Sequence, residues 1–290
     1  MIRHRTIREP AVAGSFYPAG GERLGELVDA CLAAAPGTPA GAPSLGALVP
    51  HAGLVYSGAV AAAGWQALLA GAGPAPTVVI LGTNHSAWFE GVAVFDTGAW
   101  RQPTGEVAVD EEVAGSVASL GAPFAANPGA HREEHSIEVQ LPLLRALRPG
   151  ARIVPCSVAA GTGRAAVEAG RRIGARLAEL RADGREILLA ISTDMAHYPA
   201  HEVAVAVTER LLPSIVALDA EALAAQEQAE ARSGARGVVC GMCGIQPAVL
   251  GLAALRAMGA SGGAVLAAAT SADAGGPTDR AVGYLAVAFA

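Results

Sequence analysis

The sequence predicts an α/β protein with a central, mixed but largely parallel sheet flanked by helices. Short apolar runs typical of buried strands alternate with helical patterns along nearly the whole chain. Three of these runs, over 45–49, 77–82 and 187–192, are each followed directly by a segment that contains histidine. No linker or composition shift divides the 290 residues, so we expect a single domain over 1–290.

The remaining elements follow from helical periodicity and from residues that favour helix ends. Residues 22–35 and 57–70 are predicted as helices, and Ser57 is a suitable N-cap for the second. A helix over 135–147 would contain Pro142, which removes a backbone hydrogen bond and should kink it. Further helices are predicted over 110–120, 164–181, 202–212 and 220–231, and the segment 243–247 leads into another that runs to about 258. Further strands are predicted over 91–96, 153–158, 264–269 and 283–289.

The composition excludes several classes of protein. The formal net charge is −6 and only 4% of the residues are aromatic, which argues against a nucleic-acid-binding surface or a platform that stacks on bases. All 20 basic residues are arginine. The chain therefore has no lysine for a Schiff base or for a phosphate-binding loop of the Walker type.

The N-terminal residues and the cysteines predict a cytoplasmic protein. The positive charge over 1–5 is not followed by an apolar stretch, so no secretory signal is expected. Prolines and glycines interrupt the long uncharged segment over 30–89, which therefore does not read as a membrane span. The four cysteines suit a reducing compartment and do not suggest a disulfide framework.

His51 and His85 are the best candidates for metal ligands. Each follows a predicted strand, and in open α/β sheets ligands bind beyond the carboxyl ends of the strands. Two neutral imidazoles with one anionic ligand would make a transition-metal site. The alternative interpretation is that each ring only satisfies a hydrogen bond of its own turn.

Asp194 and His197 follow the strand over 187–192 and are three residues apart. If that segment is helical, the spacing places both on one face, where the carboxylate could orient the ring and make it a better general base. The alternative is that Thr193 or Asp194 caps a helix and that His197 has no special role.

Cys240 and Cys243 form a lone CxxC pair. A structural zinc site would need a second pair, which the chain lacks. Cys243 precedes a predicted helix, where a thiolate is stabilised and becomes a better ligand or nucleophile. The alternative is that both cysteines are small buried apolar residues. His131 and His135 are weaker candidates for a functional role, whereas His4 and His201 are expected at the surface.

Six stretches together resemble the Memo-like family, also called AmmeMemoRadiSam system protein B. They run from one end of the chain to the other in the family's order, and the set is far more specific than any member. The stretches are AGSFY at 13–17, PHAG at 50–53, ILGTNH at 80–85, EHSIEVQLP at 134–142, STDMAH at 192–197 and CGIQP at 243–247.

The resemblance implies a fold similar to that of class III extradiol dioxygenases, which use non-haem iron. By motif, it assigns His51, His85 and Cys243 as metal ligands and Asp194 and His197 as catalytic residues. The local doublet leaves Cys240 as an alternative ligand to Cys243. The residues expected to support the ligands or to face substrate are His135, Glu138, Asn84 and Tyr56.

The implied function is that of a non-haem oxidoreductase acting on a small organic substrate, with O₂ as a co-substrate. Cys243 stands where the dioxygenases have a carboxylate, and the softer thiolate would favour copper or zinc or alter the chemistry of iron. The alternative is a non-catalytic effector that binds a peptide or phosphopeptide in the same pocket. The resemblance also implies association with a radical-SAM protein and an AMMECR-type protein. No organic cofactor, nucleic acid or membrane partner is expected, and the oligomeric state is left open.

Overall fold

Eleven strands of the described chain join in one sheet. A computed structural model describes residues 6–37, 44–232 and 237–290, so that His4 and part of the loop after Pro36 lie outside the described residues. The strands are β1 (Ile7–Arg8), β2 (Gly46–Val49), β3 (Thr77–Thr83), β4 (Gly91–Val94), β5 (Ala99–Gln102), β6 (Gly105–Val109), β7 (Phe124–Ala126), β8 (Arg152–Ala159), β9 (Ile187–Ser192), β10 (Gly263–Thr270) and β11 (Gly283–Phe289).

The helices lie on both faces of this sheet. They are α1 (Gly21–Ala34), α2 (Leu54–Leu69), α3 (Glu111–Ala118), α4 (Leu141–Leu147), α5 (Arg164–Ala182), α6 (His201–Val216), α7 (Ala220–Arg232) and α8 (Ile245–Ala257). Side chains three positions apart on a strand point to opposite faces. Gly46 of β2 faces Leu255 of α8, whereas Val49 of the same strand packs on Gly64 of α2. The two helices therefore cover opposite faces.

The strand order is β1-β5-β6-β8-β3-β9-β2-β11-β10, with β4 and β7 branching from β8. The pairs β6–β8, β8–β3, β3–β9 and β9–β2 are parallel, and β2–β11 and β11–β10 are antiparallel. Every residue of β2, β3 and β9 is buried, as expected for parallel strands covered on both faces. The mixed, largely parallel sheet predicted from the sequence is confirmed.

Two predictions about helix ends are wrong. Helix α2 begins at Leu54 with Gly53 as its N-cap, so Ser57 lies in the first turn, where its hydroxyl donates to Ala52 O. Pro142 does not kink a long helix, because α4 begins only at Leu141 after a short 3₁₀ turn. Proline is well accommodated there, since the first turn has no internal acceptor for its missing N–H.

Among the described residues, no helix is both long enough and apolar enough to cross a membrane.

Candidate metal centre

Three neighbouring parallel strands carry the predicted ligands to one edge of the sheet. Strand β9 lies between β2 and β3. His51, His85 and Asp194 each stand two residues beyond the end of β2, β3 and β9, respectively. Because the strands are parallel and adjacent, residues at the same offset from the carboxyl ends meet in one place. Cys243 joins them from the turn before α8, where its N–H donates to Asp194 O.

Two groups of donor atoms form around His51. Its Nε2 lies 3.3 Å from Cys243 Sγ. His51, Asp194 and Cys243 each offer one ligand atom within 4.8 Å of the others, and so do His51, His85 and His135. The predicted ligands His85 and Cys243 thus both lie close to His51, but neither group contains the two together.

A chain of buried hydrogen bonds fixes the tautomer of His51. The Trp65 indole N–H donates to Gln140 Oε1, so that the amide nitrogen of Gln140 donates to Ser192 Oγ. The Ser192 hydroxyl donates its single hydrogen to Ser136 O. The His51 Nδ1, 3.0 Å from Ser192 Oγ, must therefore be the donor in that contact. The lone pair of His51 remains on Nε2, which faces Cys243.

Glu134 orients His85 in a similar way. Its Oε1 lies 2.9 Å from His85 Nδ1, and its Oε2 accepts from the backbone N–H of His85. Burial alone would raise the pKa of Glu134, but the hydrogen bonds from His85 and Ser136 outweigh it and lower the pKa to about 2. The carboxylate is therefore ionised and holds Nδ1 of His85 as a donor, which leaves Nε2 free to bind a metal.

Close backbone packing brings the segment of Glu134 and His135 against β3. A Cβ on Gly82 would fall 2.5 Å from both Ser136 Oγ and Ile137 Cγ1, so only glycine leaves room for this approach. Ser136 Oγ donates to Thr83 O at 2.9 Å and secures the contact. As a result the His135 ring stacks on His85, with ring centroids 4.4 Å apart.

Asp194 and His197 meet without a helix. The segment that contains them pairs with the start of β11 and the residues just before it, through Met195 N–H to Gly283 O and Tyr198 N–H to Ala281 O. Asp194 Oδ1 accepts from the His51 backbone N–H at 2.8 Å, and Oδ2 lies 4.0 Å from His197 Nε2. The segment is not helical, and extended pairing instead brings the two side chains close.

The Nε2 atom of His197 is buried and has no hydrogen-bond partner in the described part of the chain. Burial lowers the pKa of His197, so the ring tends to be neutral. A buried, unpaired ring nitrogen is costly unless a ligand completes it. This atom therefore marks a position at which a bound molecule would be contacted.

Burial governs the charges of the donor atoms. It lowers the pKa of His51 to about 3 and that of His135 to about 4, so both rings are neutral at neutral pH. It raises the pKa of Asp194, and burial together with the Asp194 carboxylate raises the pKa of Cys243 well above its usual value. A cation bound among these donors would oppose both shifts, because it stabilises the thiolate and the carboxylate.

The donor set fits a transition-metal ion. Bond lengths of about 2.1 Å to nitrogen and 2.3 Å to sulfur place two ligands roughly 3.1–3.6 Å apart at bond angles of 90–109°. The separation of 3.3 Å between His51 Nε2 and Cys243 Sγ falls within this range. The Asp194 N–H also points at Cys243 Sγ at 3.3 Å, which favours the thiolate. Imidazole, thiolate and carboxylate together suit iron, copper or zinc.

Cys240 differs from Cys243 in its surroundings. Burial and the nearby Glu227 carboxylate raise the pKa of Cys240 to about 11. Its backbone carbonyl accepts from the His197 N–H, which helps to place that ring. Neither close group of donors among the described residues includes Cys240, whereas Cys243 is in one.

Two of the residues expected to support the site make other contacts, and a third is largely exposed. Glu138 is buried and binds Arg8 and the Tyr17 hydroxyl, so it fastens the N-terminal segment. Asn84 closes its own turn, with its amide bonded to Ala87 N and O. Tyr56 lies in the first turn of α2 and is 46% exposed. His135, the fourth residue, instead lies among the candidate ligands.

Several residues that complete the site were given no role on the basis of the sequence. Glu134, Ser192 and Gln140 hold the ligands, Trp65 orients Gln140, and the Phe16 ring packs on His135 with centroids 4.7 Å apart. A usable signal was present for Ser192 and Gln140, because each is a polar residue inside an apolar run. The roles of Trp65 and Phe16 depend on contacts between distant segments, which periodicity does not reveal.

The fold and the site define an α/β protein with a cluster of histidine, aspartate and cysteine side chains at the carboxyl edge of its central strands. The sequence matches the family model described as Memo-like protein over residues 8–288. It is 37% identical to a MEMO1 family protein of Methanopyrus kandleri over 97% of this chain and 98% of that protein. A MEMO1 family protein of Aquifex aeolicus is 35% identical over 98% of this chain and 99% of its own length. The chain belongs to the Memo-like family.

A solved structure gives independent support for the fold. A protein of Escherichia coli K12, solved as an uncharacterized protein, superposes with a TM-score of 0.52 over 84% of this chain and 99% of its own. The two sequences are only 16% identical, so the likeness concerns the fold alone.

Proposed function

We propose that this protein is a metal-dependent oxidoreductase that acts on a small organic substrate. The observation that carries the proposal is that the oriented Nε2 of His51 lies beside the Cys243 thiol, while the unpaired Nε2 of His197 lies near Asp194 in the same cluster. His51, His85 and Cys243 would hold iron or copper, and zinc fits the same donors. The bound ion would supply a Lewis-acidic and, for iron or copper, redox-active centre.

His197 is suited to move a proton. Its ring tends to be neutral, and Asp194 Oδ2, 4.0 Å from Nε2, would stabilise the imidazolium that forms when Nε2 takes up a proton. Asp194 is itself held by the backbone N–H groups of His51 and Ala52. The proton taken from a substrate hydroxyl at Nε2 can later be returned to the product from the same atom.

The exposed edges of the site indicate where a substrate would enter. The side chains of His85, His197 and His135 are 33%, 21% and 20% exposed, whereas His51 lies beneath them. The Phe16 ring on His135 adds an apolar wall. A small molecule with an apolar body and an ionisable hydroxyl would match these surfaces.

The test is O₂ consumption by metal-loaded protein with a panel of catechols and other small phenols. The variant His197→Gln should retain the metal but turn over about 10²–10⁴-fold more slowly, since that is the usual contribution of a general acid or base. His201→Gln is the matched control, because His201 bonds Thr270 away from the pocket. If no substrate raises O₂ uptake and a phosphopeptide binds equally well with and without metal, the pocket is a binding site rather than an enzymatic one.

A further inference from the structure

Tyr198 has an unusual backbone conformation beside the proposed acid–base residue His197. Its φ is 67°, in the left-handed region that residues with a Cβ rarely adopt. In an extended strand, successive side chains point to opposite faces. The turn at Tyr198 breaks this alternation, since its ring packs edge-to-face on the His197 ring with centroids 5.4 Å apart. The strained residue therefore places an aromatic ring on the same side of the segment as His197.

Arg280 lies on the Tyr198 ring. The hydrogen bond from Tyr198 N–H to Ala281 O brings the neighbouring Arg280 beside this ring, and its guanidinium carbon is 4.4 Å from the ring centre. The ring attracts the cation and orients its plane. Tyr198 is 43% exposed, and Arg280 is exposed as well. His197, Tyr198 and Arg280 thus form a row that leads from the buried Nε2 of His197 to the surface.

The Arg280 guanidinium is free to bind a ligand. It makes no hydrogen bond and no ion pair to any residue whose placement the structure describes. The nearby Asp194 carboxylate is engaged elsewhere, because Oδ1 accepts from the His51 N–H and Oδ2 lies beside His197. A guanidinium presents its N–H groups as a planar fork that matches the two oxygens of a carboxylate. The surface end of the row is therefore suited to an anionic group.

We propose that Arg280 selects substrates that carry a carboxylate. The hydroxyl of the substrate would lie at His197, and its carboxylate would accept two hydrogen bonds from Arg280. Tyr198 is a positioning residue, since its ring holds the guanidinium in place. This inference rests on the proposed function and deepens it, because it names the substrate class as hydroxyaromatic carboxylates.

The test compares the binding of two probes to zinc-loaded protein, because zinc has no redox chemistry and does not consume the ligand. The probes are 3-(3,4-dihydroxyphenyl)propionate and its neutral amide, in which a two-carbon spacer keeps the acidity of the hydroxyls nearly equal. Isothermal titration calorimetry gives the ratio of the two affinities. Wild type should bind the acid about 5- to 20-fold more tightly, as expected for a charge-assisted pair at a partly exposed site. Arg280→Met should not distinguish the two probes.

Matched variants separate the role of Arg280 from a general loss of positive charge. Arg256→Met removes another exposed arginine, in the last turn of α8 and thus at the opposite end of that helix from Cys243, and should keep the preference for the acid. Tyr198→Gly adopts the same φ without strain but lacks the ring, so its preference should fall toward that of Arg280→Met. Tyr198→Phe retains the ring and should retain the preference.

The outcomes distinguish failure of the Arg280 assignment from failure of the proposed function. If wild type binds the acid and the amide equally, or if Arg280→Met prefers the acid as strongly as wild type does, Arg280 does not select the substrate. A full preference in Tyr198→Gly would overturn the positioning role of the ring. If neither probe binds to zinc-loaded wild type, the proposed function on phenolic substrates fails as well.

Discussion

At the scale of single residues, the tautomer of His51 is set by side chains that do not touch a ligand. Trp65 and Gln140 act through Ser192, whose hydroxyl receives the Nδ1–H of His51. Such contacts orient a metal-binding ring and raise its basicity. The serine is thus a positioning residue, and its effect should appear in metal affinity rather than in the fold.

Ser192→Ala should weaken metal binding by about 10- to 100-fold, because His51 loses the acceptor that fixes its tautomer. Ser157→Ala is the matched control. Ser157 is equally buried on β8, and its hydroxyl has no partner within the ranges that the structure describes. Competition with a chelating indicator measures both affinities. Equal affinity in the two variants would show that Ser192 does not position His51.

His131 should make stability depend on pH. It is fully buried, its Nε2–H donates to Ala93 O, and burial lowers its pKa to about 4. Below about pH 6.5 His131 is protonated in the unfolded chain but stays neutral in the folded chain. Stability therefore falls as the pH is lowered toward 4. When the pH is lowered from 7.5 to 5.5, the free energy of unfolding of His131→Leu should fall by about 1 kcal/mol less than that of wild type. Urea unfolding at both pH values measures this, and an identical loss would refute the assignment.

The sequence predicted the candidate ligands at the ends of strands better than the residues that form hydrogen bonds to those ligands. His51, His85 and Asp194 could be placed because each directly follows a buried strand. The contacts of Glu138 could not be predicted, because the local sequence does not show the distant Arg8 that it binds. A polar residue within an apolar run is buried because it has a hydrogen-bond partner, but the neighbouring sequence does not show which distant residue that partner is.

At the scale of elements, the N-terminal segment is fastened by one buried ion pair. Arg8 binds Glu138 and also donates to His131 O and Glu134 O, while Glu138 accepts from Tyr17 and from two backbone N–H groups. The same segment carries Phe16, whose ring packs on the site. The pair therefore connects the start of the chain to the wall of the pocket.

Arg8→Met should destabilise the protein by about 3–5 kcal/mol, because it leaves the Glu138 carboxylate buried without its cation. The double variant Arg8→Met/Glu138→Gln should recover part of that loss, since the uncompensated charge is removed. Denaturant unfolding of the two variants gives the comparison. An unchanged midpoint in Arg8→Met would mean that the pair does not contribute.

Helices α5 and α8 pack at a distance that only glycine permits. A Cβ on Gly174 of α5 would lie 2.3 Å from Ala254 O of α8, so Gly174→Ala should destabilise by about 1–3 kcal/mol. Gly115→Ala in α3 is the control, because nothing lies within 4 Å of its added Cβ. That variant should be more stable by about 0.5–1 kcal/mol from helix propensity alone. Thermal unfolding that ranks the two variants in the opposite order would contradict the packing.

The limits of the helix predictions have a physical reason. Periodicity defined α5 well because its buried residues recur on one face, whereas residues 247–255 of α8 are buried all around the helix. It failed at Pro142, because proline is compatible with a first turn as well as with a kink, and the preceding residues form a 3₁₀ turn. For the segment after β9 the sequence left a helix open as one possibility, and pairing with the start of β11 takes its place.

At the scale of the whole molecule, the class of fold was evident from alternating apolar runs and helical patterns, but the strand order was not. The position of β9 between β2 and β3 is what places Asp194 beside His51. That order results from crossovers through α2 and α5 that pack on opposite faces, and no local pattern encodes it. The division of the donors into two groups likewise appears only in three dimensions.

The central claim is that His51 is a ligand of one bound metal ion. It is tested most directly by elemental analysis of protein purified anaerobically, loaded with Co²⁺ and dialysed, comparing wild type, His51→Gln and the control His201→Gln. The account predicts one ion per chain in wild type and in His201→Gln, and none in His51→Gln. One ion per chain in His51→Gln, or none in wild type, would contradict it.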